Sequence, residues 1–431
     1  MIYTRKIDKE LNYDVVVIGA GSAGCCAAIS AARNNLKVLL VEKCAFLGGI
    51  STQVIDTFYG FYIPGKESKK VVGGIGDEIV EELKNRKAAI YRPNTYGAGT
   101  GITYEQEILK VVWEELVSSS HVDVLLHTIA IDVVQVNNRI ESVILANKRE
   151  LVRVGAKQFI DCSGDADIVF KAGYDFDGVG KSTVQSLTTT FRIGNIDVEK
   201  SKSFSKNDLW NWMKEANESQ KFNLPREEGS VHITPVENIV ATNMVRISIN
   251  DPTDVEMLSR VEKEGRLQAL EYFNFMKAYV PGYENSVLLN FSNQIGVRET
   301  RRIIGEYILQ EEDVISARKF DDGILLCGAP IEDHNPSSTT KWKYLEEGEV
   351  YSLPYRCLIP KGSVNLLVAG RCISATHDAH ASMRSIAQCM AMGEVAGVAS
   401  AIAISDNLSA NEIDVNKLRQ KLMENNMILE V

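Results

Sequence analysis

Between Asp14 and Glu42 the chain reads DVVVIGAGSAGCCAAISAARNNLKVLLVE, a strand, a glycine turn, a helix and a second strand ending in an acid. Val15 to Ile18 is a continuous apolar run, as expected of a parallel strand covered on both faces. Gly19, Gly21 and Gly24 follow at GxGxxG spacing. The first permits a tight turn, the second lets a pyrophosphate reach the backbone, and the third lets the helix pack on the strand. The helix N-terminus then offers free N–H groups and the positive end of its dipole to phosphate. Glu42 stands at the end of the second strand, placed to accept hydrogen bonds from a ribose diol. The predicted cradle is Gly19, Ala20, Gly21, Ser22, Ala23 and Gly24, with Glu42 and Lys43 at its far side. The segment predicts a bound dinucleotide.

At 431 residues the chain exceeds one ordinary core, which predicts two domains. A net charge of −10 without a basic run disfavours nucleic acid and anionic membranes as partners and favours a small-molecule substrate. The longest strongly apolar or small-residue run, Val395 to Ile404, falls short of a bilayer span, and the polar start MIYTRKIDKE does not read as a signal peptide. A cytoplasmic protein without a membrane span is expected. The eight cysteines contain no CxxC pair, so no metal site is predicted and the thiols are expected to be reduced and mostly buried.

After the first βαβ unit, Gly48 to Gly76 is glycine-rich and meets only two of the three fingerprint positions at Gly73, Gly74 and Gly76. It reads as a strand-to-helix turn before DEIVEELK. A helix over about 103–119 precedes VDVLLHTIAIDVVQV, RIESVILAN and ELVRVGAKQFI, three runs that read as a meander returning to the parallel sheet. The meander ends in the acidic turn DCSGDAD at 161–167. Thr253 to Glu256 reads as a capping box opening a long helix with Val255, Leu258 and Val261 on one face, stopped near Pro281-Gly282. From Tyr351 the pattern returns to a buried strand, Asn365 to Ala369, then a small-residue helix from Met383 to Ile404 capped by Ser382, and a last helix at Val415 to Asn425. The predicted fold is α/β: a Rossmann-like nucleotide-binding domain, in which a parallel sheet carries a β-meander, plus an inserted α+β substrate or cap domain. The first comprises 1–60, 101–171 and 350–431; the second comprises 61–100 and 172–349.

GAGSAG with Glu42, Leu47-Gly48-Gly49, DCSGDAD, GVRETRRIIGEYIL at 296–309 and LPYRCLIPKGSVNLLVAGRCISATHDAHASMRSIAQCMAMGEVAG near the C-terminus together resemble the FAD-dependent oxidoreductases of the glutathione-reductase-like fold. Within them the chain is most similar to the bacterial FAD-oxidoreductase family, distantly related to fumarate-reductase flavoproteins. The resemblance implies extended FAD, with adenosine diphosphate at Gly19 to Glu42 and flavin under residues 370–390. It adds Gly48, Gly49, Ser51, Thr52, Ala130, Ser163, Gly164, Asp165, Gly370, Arg371, Ser382 and Met383 to the expected contacts. Gly370-Arg371 stands where hydroxylases of this fold carry Gly-Asp, and Trp210-Asn211-Trp212 lacks the Ile-Pro of halogenases and reads as packing. No CxxxxC pair follows Gly49, unlike disulfide reductases, and no histidine precedes His121, so non-covalent FAD is expected.

A flavin needs a proton-transfer group beside its substrate and a positive end for the reduced ring. His377 and His380 fall just before the Met383 helix with Asp378 and Arg384, and histidine is the side chain best suited to move a proton near neutral pH. His380 is the expected acid/base, His377 the second choice, and each could instead only hydrogen-bond locally. Arg356 and Arg384 stay open as donors, since an arginine has that role in the fumarate-reductase relatives. Arg298, Arg301 and Arg302 would share one face of a helix and clamp an anionic substrate, or pair with Glu299 and Glu306. His121, His127, His232 and His334 read as structural. The leading function is hydride transfer between FAD and a small anionic substrate, with an electron-transfer partner and a homo-oligomer left open. The alternatives are an electron-transfer subunit without substrate chemistry and a thiazole-forming or tRNA-modifying flavoprotein.

Overall fold

A computed structural model describes residues 4–93, 97–335 and 339–431. Strands β1 (Lys9–Ile18), β2 (Val38–Val41), β3 (Asp123–Leu125), β4 (Ile129–Val136), β5 (Arg139–Ala146) and β6 (Leu151–Asp161) form one sheet in the order β3-β2-β1-β6-β5-β4, and the Leu366–Val368 strand joins β6. β1 runs parallel to β2, with Val15 opposite Val38, and parallel to β6, with Ile18 opposite Asp161. β4, β5 and β6 are the antiparallel meander. The parallel centre is buried on both faces, which is why Val15 to Ile18 and Val38 to Val41 carry no polar alternation.

Helix α1 (Ser22–Arg33) covers one face of this sheet, and a long apolar helix at Ile386–Asp406 lies against α1. The two backbones approach closely because a side chain at Gly393 would overlap the Ala23 carbonyl, and one at Gly397 would meet that of Ala27. At 21 residues and mean hydropathy 1.4 the Ile386–Asp406 helix has the length and composition of a membrane span. Its most apolar stretch is 94% buried inside the protein, so its hydropathy reflects a core position.

A second core gathers Leu187, Phe191, Leu209, Met213, Val261, Tyr272, Phe275 and Met276, among others. It lies between the Val255–Tyr279 helix and a four-stranded antiparallel sheet of β7 (Phe191–Gly194), β8 (Ser230–Ile233), β9 (Val240–Asn243) and β10 (Val287–Phe291), ordered β8-β9-β7-β10. Ile63, Val71, Ile79 and Leu83, and also Ile324 to Cys327, pack instead with α1 in the first core. The second core therefore draws on a narrower stretch than 61–100 plus 172–349. Trp210 and Trp212 pack at its edge. All eight cysteines are free and only Cys44 escapes full burial.

Three expectations are corrected. The Val255–Tyr279 helix is capped by Asp254, whose carboxylate accepts the Glu256 and Met257 N–H groups, and Thr253 instead bonds Asp251; Val255 is 72% exposed. Arg298 to Arg302 is not helical. Arg301–Ile303 is a strand paired with Phe176–Gly178, and strand geometry sends Arg301 and Arg302 to opposite faces. Finally, the Met383–Ile404 helix is two helices: His377–Met383, capped by Thr376, and Ile386–Asp406 after a break at Arg384 and Ser385. His377 and His380 thus sit on a helix, and Ser382 inside it caps nothing.

Candidate active site

A cleft of about 430 Å³ runs from the tip of β1 to the second core's sheet. At the β1 end its wall is mostly backbone. Gly19 takes φ +93°, a conformation open to glycine, and a side chain there would strike the Cys162 carbonyl. A side chain at Gly24 would overlap the Gly19 carbonyl oxygen. Gly21 is different: an added Cβ would find only Gly49 Cα at 4.0 Å, so the missing side chain faces open space. Gly21 is also the N-cap of α1 and leaves the helix N-terminus without a side-chain cap, an anion-binding arrangement. Glu42 holds this turn by accepting the Ala20 N–H at 2.7 Å and the Cys44 N–H at 2.9 Å.

The acidic turn after β6 closes the same end. Buried Asp161 accepts hydrogen bonds from the Ser163 N–H and hydroxyl and from the Ile168 and Val169 N–H groups. Burial nevertheless pushes its carboxyl up to about 6. Arg371 bridges to Asp165 at 2.8 Å and to the Thr300 hydroxyl at 3.1 Å.

Of the predicted cofactor contacts, Gly19, Gly21, Ser22, Ala23, Glu42, Lys43, Gly49, Ser163, Gly164, Asp165, Gly370 and Arg371 line the cleft. Ala20, Gly24 and Gly48 shape the turn from behind. Ser51 and Thr52 turn their hydroxyls onto the Gly48 and Leu47 carbonyls. Ser382 donates to the Ala329 carbonyl and Met383 is buried in the first core. Ala130 lies on β4 opposite Leu145, outside the cleft.

The other end is made of polar side chains. His232 on β8 and Asp56, from the segment after Gly49, meet at 2.7 Å between His232 Nε2 and Asp56 Oδ1, with Arg192 3.7 Å from Oδ2. Burial opposes the Asp56 charge, but His232, Arg192 and Arg92 hold its carboxyl below the ordinary range, whereas burial lowers His232. With Asp56 ionised and the imidazole neutral, Nε2 carries the hydrogen that Asp56 accepts. Nδ1 is buried and, among the described residues, has no hydrogen-bond partner.

Alongside lie Arg298 and Arg384. Arg298 donates to the Ser186 carbonyl at 2.7 Å, and Arg384 donates to the Gln185 side chain at 3.0 Å and the Glu332 carbonyl at 3.3 Å. Among the described residues neither has a carboxylate within 4.0 Å. Burial and the neighbouring Arg384 and Arg226 push the Arg298 guanidinium well below its ordinary value. The Glu332 carboxylate is engaged by His334 at 3.0 Å. Burial opposes the Glu332 charge, yet His334, Arg384 and Arg298 hold it at about 2, while burial and Arg298 drive His334 down to about 3.

The two predicted acid/base histidines lie off this wall. His380 is fully buried, donates from Nε2 to the Arg371 carbonyl at 2.6 Å, and is pushed by burial to about 3. His377 sits between Glu299 at 2.9 Å and Asp333 at 3.2 Å; against the pull of burial, these carboxylates raise it to about 9. Ligand atoms of Asp333, His377 and Asp378 come within 4.8 Å of one another, but Lys343 already reaches Asp378 at 3.4 Å. Of the expected arginine cluster, only Arg298 lines the cleft. Arg302 is locked to Glu299 and Asp177, and Arg301 to Asp167 over the Phe170 ring. Arg356 pairs with Asp322 away from the cleft. Sequence reasoning passed over Asp56 and Glu332 and read His232 and His334 as structural; the four come from three separate segments, and only Asp56, shortly after the Gly48-Gly49 loop, had a local sign.

Residues 14–422 match a family described as FAD dependent oxidoreductase. A digeranylgeranylglycerophospholipid reductase of Picrophilus torridus is 31% identical over 159 residues, 36% of this chain and 40% of that protein. A 4-oxocyclohex-2-ene-1-carboxylate 5-dehydrogenase of Sinomonas cyclohexanicum is 35% identical over 98 residues, 23% of this chain and 15% of that protein. The chain thus aligns with well under half the length of these relatives. A geranylgeranyl bacteriochlorophyll reductase-like structure from Thermoplasma acidophilum aligns over 97% of this chain and 85% of its own, at 15% identity and TM-score 0.49.

Proposed function

Because the chain belongs to the FAD dependent oxidoreductase family, we propose that it transfers a hydride between non-covalent FAD and a small anionic substrate held at the polar end of the cleft. The residues at the glycine end fit the cofactor: Gly21 opens onto the cleft and the α1 N-terminus is uncapped. Gly19 to Ala23 would hold the pyrophosphate, Glu42 and Lys43 would face the adenosine, and Ser163 to Asp165 with Gly370 and Arg371 would line the remainder. When bound, FAD supplies the two-electron hydride exchange.

One observation carries the substrate class: Arg298 and Arg384 line the cleft, and among the described residues their hydrogen-bond acceptors are neutral oxygens. Guanidinium forks in such a setting bind carboxylate or phosphate bidentately, and the cost of leaving them unpaired drops when an anion arrives. His232 is the proton-transfer group of this reading. It gives or takes the proton that accompanies the hydride, while Asp56 fixes its tautomer and orientation. His380 becomes a support for the Arg371 backbone, and His377 for the Glu299–Asp333 junction. A subunit that only relays electrons has no use for this polar wall. The electrons return through a second substrate or a redox partner, and a cytoplasmic location goes with the reading.

The reading is tested by anaerobic titration of the oxidised and the reduced holoenzyme with a panel of carboxylates and oxo acids, following flavin absorbance. A saturable redox change with at least one acid is expected. A response only to neutral compounds would overturn the anionic-substrate reading.

A further inference from the structure

Arg298 and Arg384 come from separate segments, yet two adjacent residues take both guanidinium groups. Ser186 accepts from Arg298 through its backbone carbonyl, and Gln185 accepts from Arg384 through its side-chain oxygen Oε1. Both residues are buried and belong to no helix or strand, so their surroundings must hold them. The Gln185 N–H donates to Glu299 Oε2 at 3.0 Å, the Ser186 N–H donates to the His334 carbonyl at 2.8 Å, and the Ser186 hydroxyl lies 2.9 Å from that of Ser248. The His334 N–H also donates to Gln185 Oε1, at 3.4 Å. Two donors thus converge on Oε1, and turning the amide over would set Nε2 against both of them. Nε2 itself has no partner among the described residues.

The carboxylate behind this segment, Glu299, is fully buried, and its oxygens lie 2.8 Å from Arg302 Nε and 2.9 Å from His377 Nδ1. It anchors the Gln185 backbone instead of pairing with Arg384. Its field still reaches that arginine: burial pulls the Arg384 guanidinium below its ordinary value, while Glu332 and Glu299 oppose the fall. An amide oxygen and a carboxylate oxygen can hold a guanidinium in the same place but leave it in different states. The amide orients the fork and leaves its charge for a ligand, whereas a carboxylate there would take up the charge itself.

We propose that Gln185 is a positioning residue for the anion: its amide oxygen aims Arg384 into the cleft and keeps the guanidinium charge available, and Glu299 fixes the backbone from which it does so. The proposal rests on the anionic-substrate reading. Gln185 does not line the cleft, so it acts through Arg384.

The test uses FAD-loaded enzyme titrated with acetate, pyruvate and succinate at constant pH and ionic strength. The flavin difference spectrum reads the acids, and flavin fluorescence reads FAD affinity. Gln185→Glu keeps the shape and sets a carboxylate against Arg384; it should weaken binding of the acids at least about tenfold, because the new charge competes with the ligand. Gln185→Met keeps the length and removes the acceptor; it should weaken binding roughly two- to tenfold, the cost of ordering a freed long side chain when the ligand arrives. Both should keep the FAD affinity of the wild type. Combining Gln185→Met with Arg384→Gln separates positioning from a general structural role. Because Gln185 acts through Arg384, the double variant should bind no more weakly than Arg384→Gln alone. Additive losses would overturn the proposal, as would wild-type binding in both Gln185 variants; either result leaves the anionic-substrate reading standing if Arg384→Gln weakens binding. If Gln185→Glu does not retain FAD, the methionine pair decides. A wild-type enzyme that binds none of the three acids would overturn the reading and the proposal together.

Discussion

The two ends of the cleft are built from different materials. At the β1 end the surface is mostly backbone, a glycine turn and an uncapped helix start, fixed largely by residues contiguous in sequence from Val15 to Glu42 and closed by the DCSGDAD turn and Gly370-Arg371. At the other end it is side chains, with Asp56, His232, Arg298, Glu332 and Arg384 each arriving from a different segment. A backbone site recognises what every dinucleotide shares, the phosphates and the ribose. A side-chain site can be changed residue by residue without disturbing the fold, and on the proposed function that is where substrate choice would reside. The comparison predicts that substitutions at one end abolish cofactor binding, and that those at the other change chemistry while the cofactor stays.

The largest effect should come from the glycines, and it separates two of them. Gly24→Val should prevent folding, because its side chain would occupy the Gly19 carbonyl; Gly21→Val should fold but lose FAD, because its side chain fills only the open cleft. Circular dichroism together with flavin content after desalting distinguishes them. A folded Gly24→Val protein, or a yellow Gly21→Val protein, would break the contrast.

Next in size is His232→Gln, which should retain FAD yet slow flavin reduction by an active carboxylate about 10²–10⁴-fold, as loss of an acid/base commonly does. His380→Gln should lower stability through its bond to the Arg371 carbonyl and leave the reduction rate within a few-fold. Stopped-flow traces in which His380→Gln is the slower variant would return the catalytic role to His380.

The smallest effect concerns stability. Glu394, buried in the Ile386–Asp406 helix, accepts the Ile75 N–H at 2.8 Å, and burial pushes it from 4.5 up to about 7. The folded protein therefore keeps a proton that the unfolded chain releases between these values. Glu394's contribution is full below about pH 4.5 and is lost as pH rises through about 7. Glu394→Gln keeps an acceptor for Ile75, so its melting temperature should decline less steeply from pH 5 to 8. Parallel curves for the two proteins would contradict the assignment.

What the sequence made legible follows the same division. The parallel strands, the glycine turn, the meander and the DCSGDAD closure are local patterns, and β1, β2 and β6 pair as those patterns require. The helical reading of Arg298 to Arg302 failed because Arg302 is drawn into a strand and an ion pair with Glu299, a tertiary contact that no spacing announces. His377 and His380 lie close to Arg384 in the chain, and that proximity suggested a shared site. The short His377–Met383 helix instead turns both imidazoles onto protein partners. His232 and Asp56 are separated by 176 residues and meet only when β8 is laid against the nucleotide-binding unit.

The separability of the two ends is tested most directly by the Arg384→Gln holoenzyme, measured for FAD affinity by flavin fluorescence and for its absorbance response to succinate. FAD affinity should match that of the wild type within about twofold, while the succinate response falls at least about tenfold, the loss of a charge-assisted contact worth roughly 1.5–3 kcal/mol. Release of FAD together with the succinate response, or an undiminished succinate response, would contradict the account.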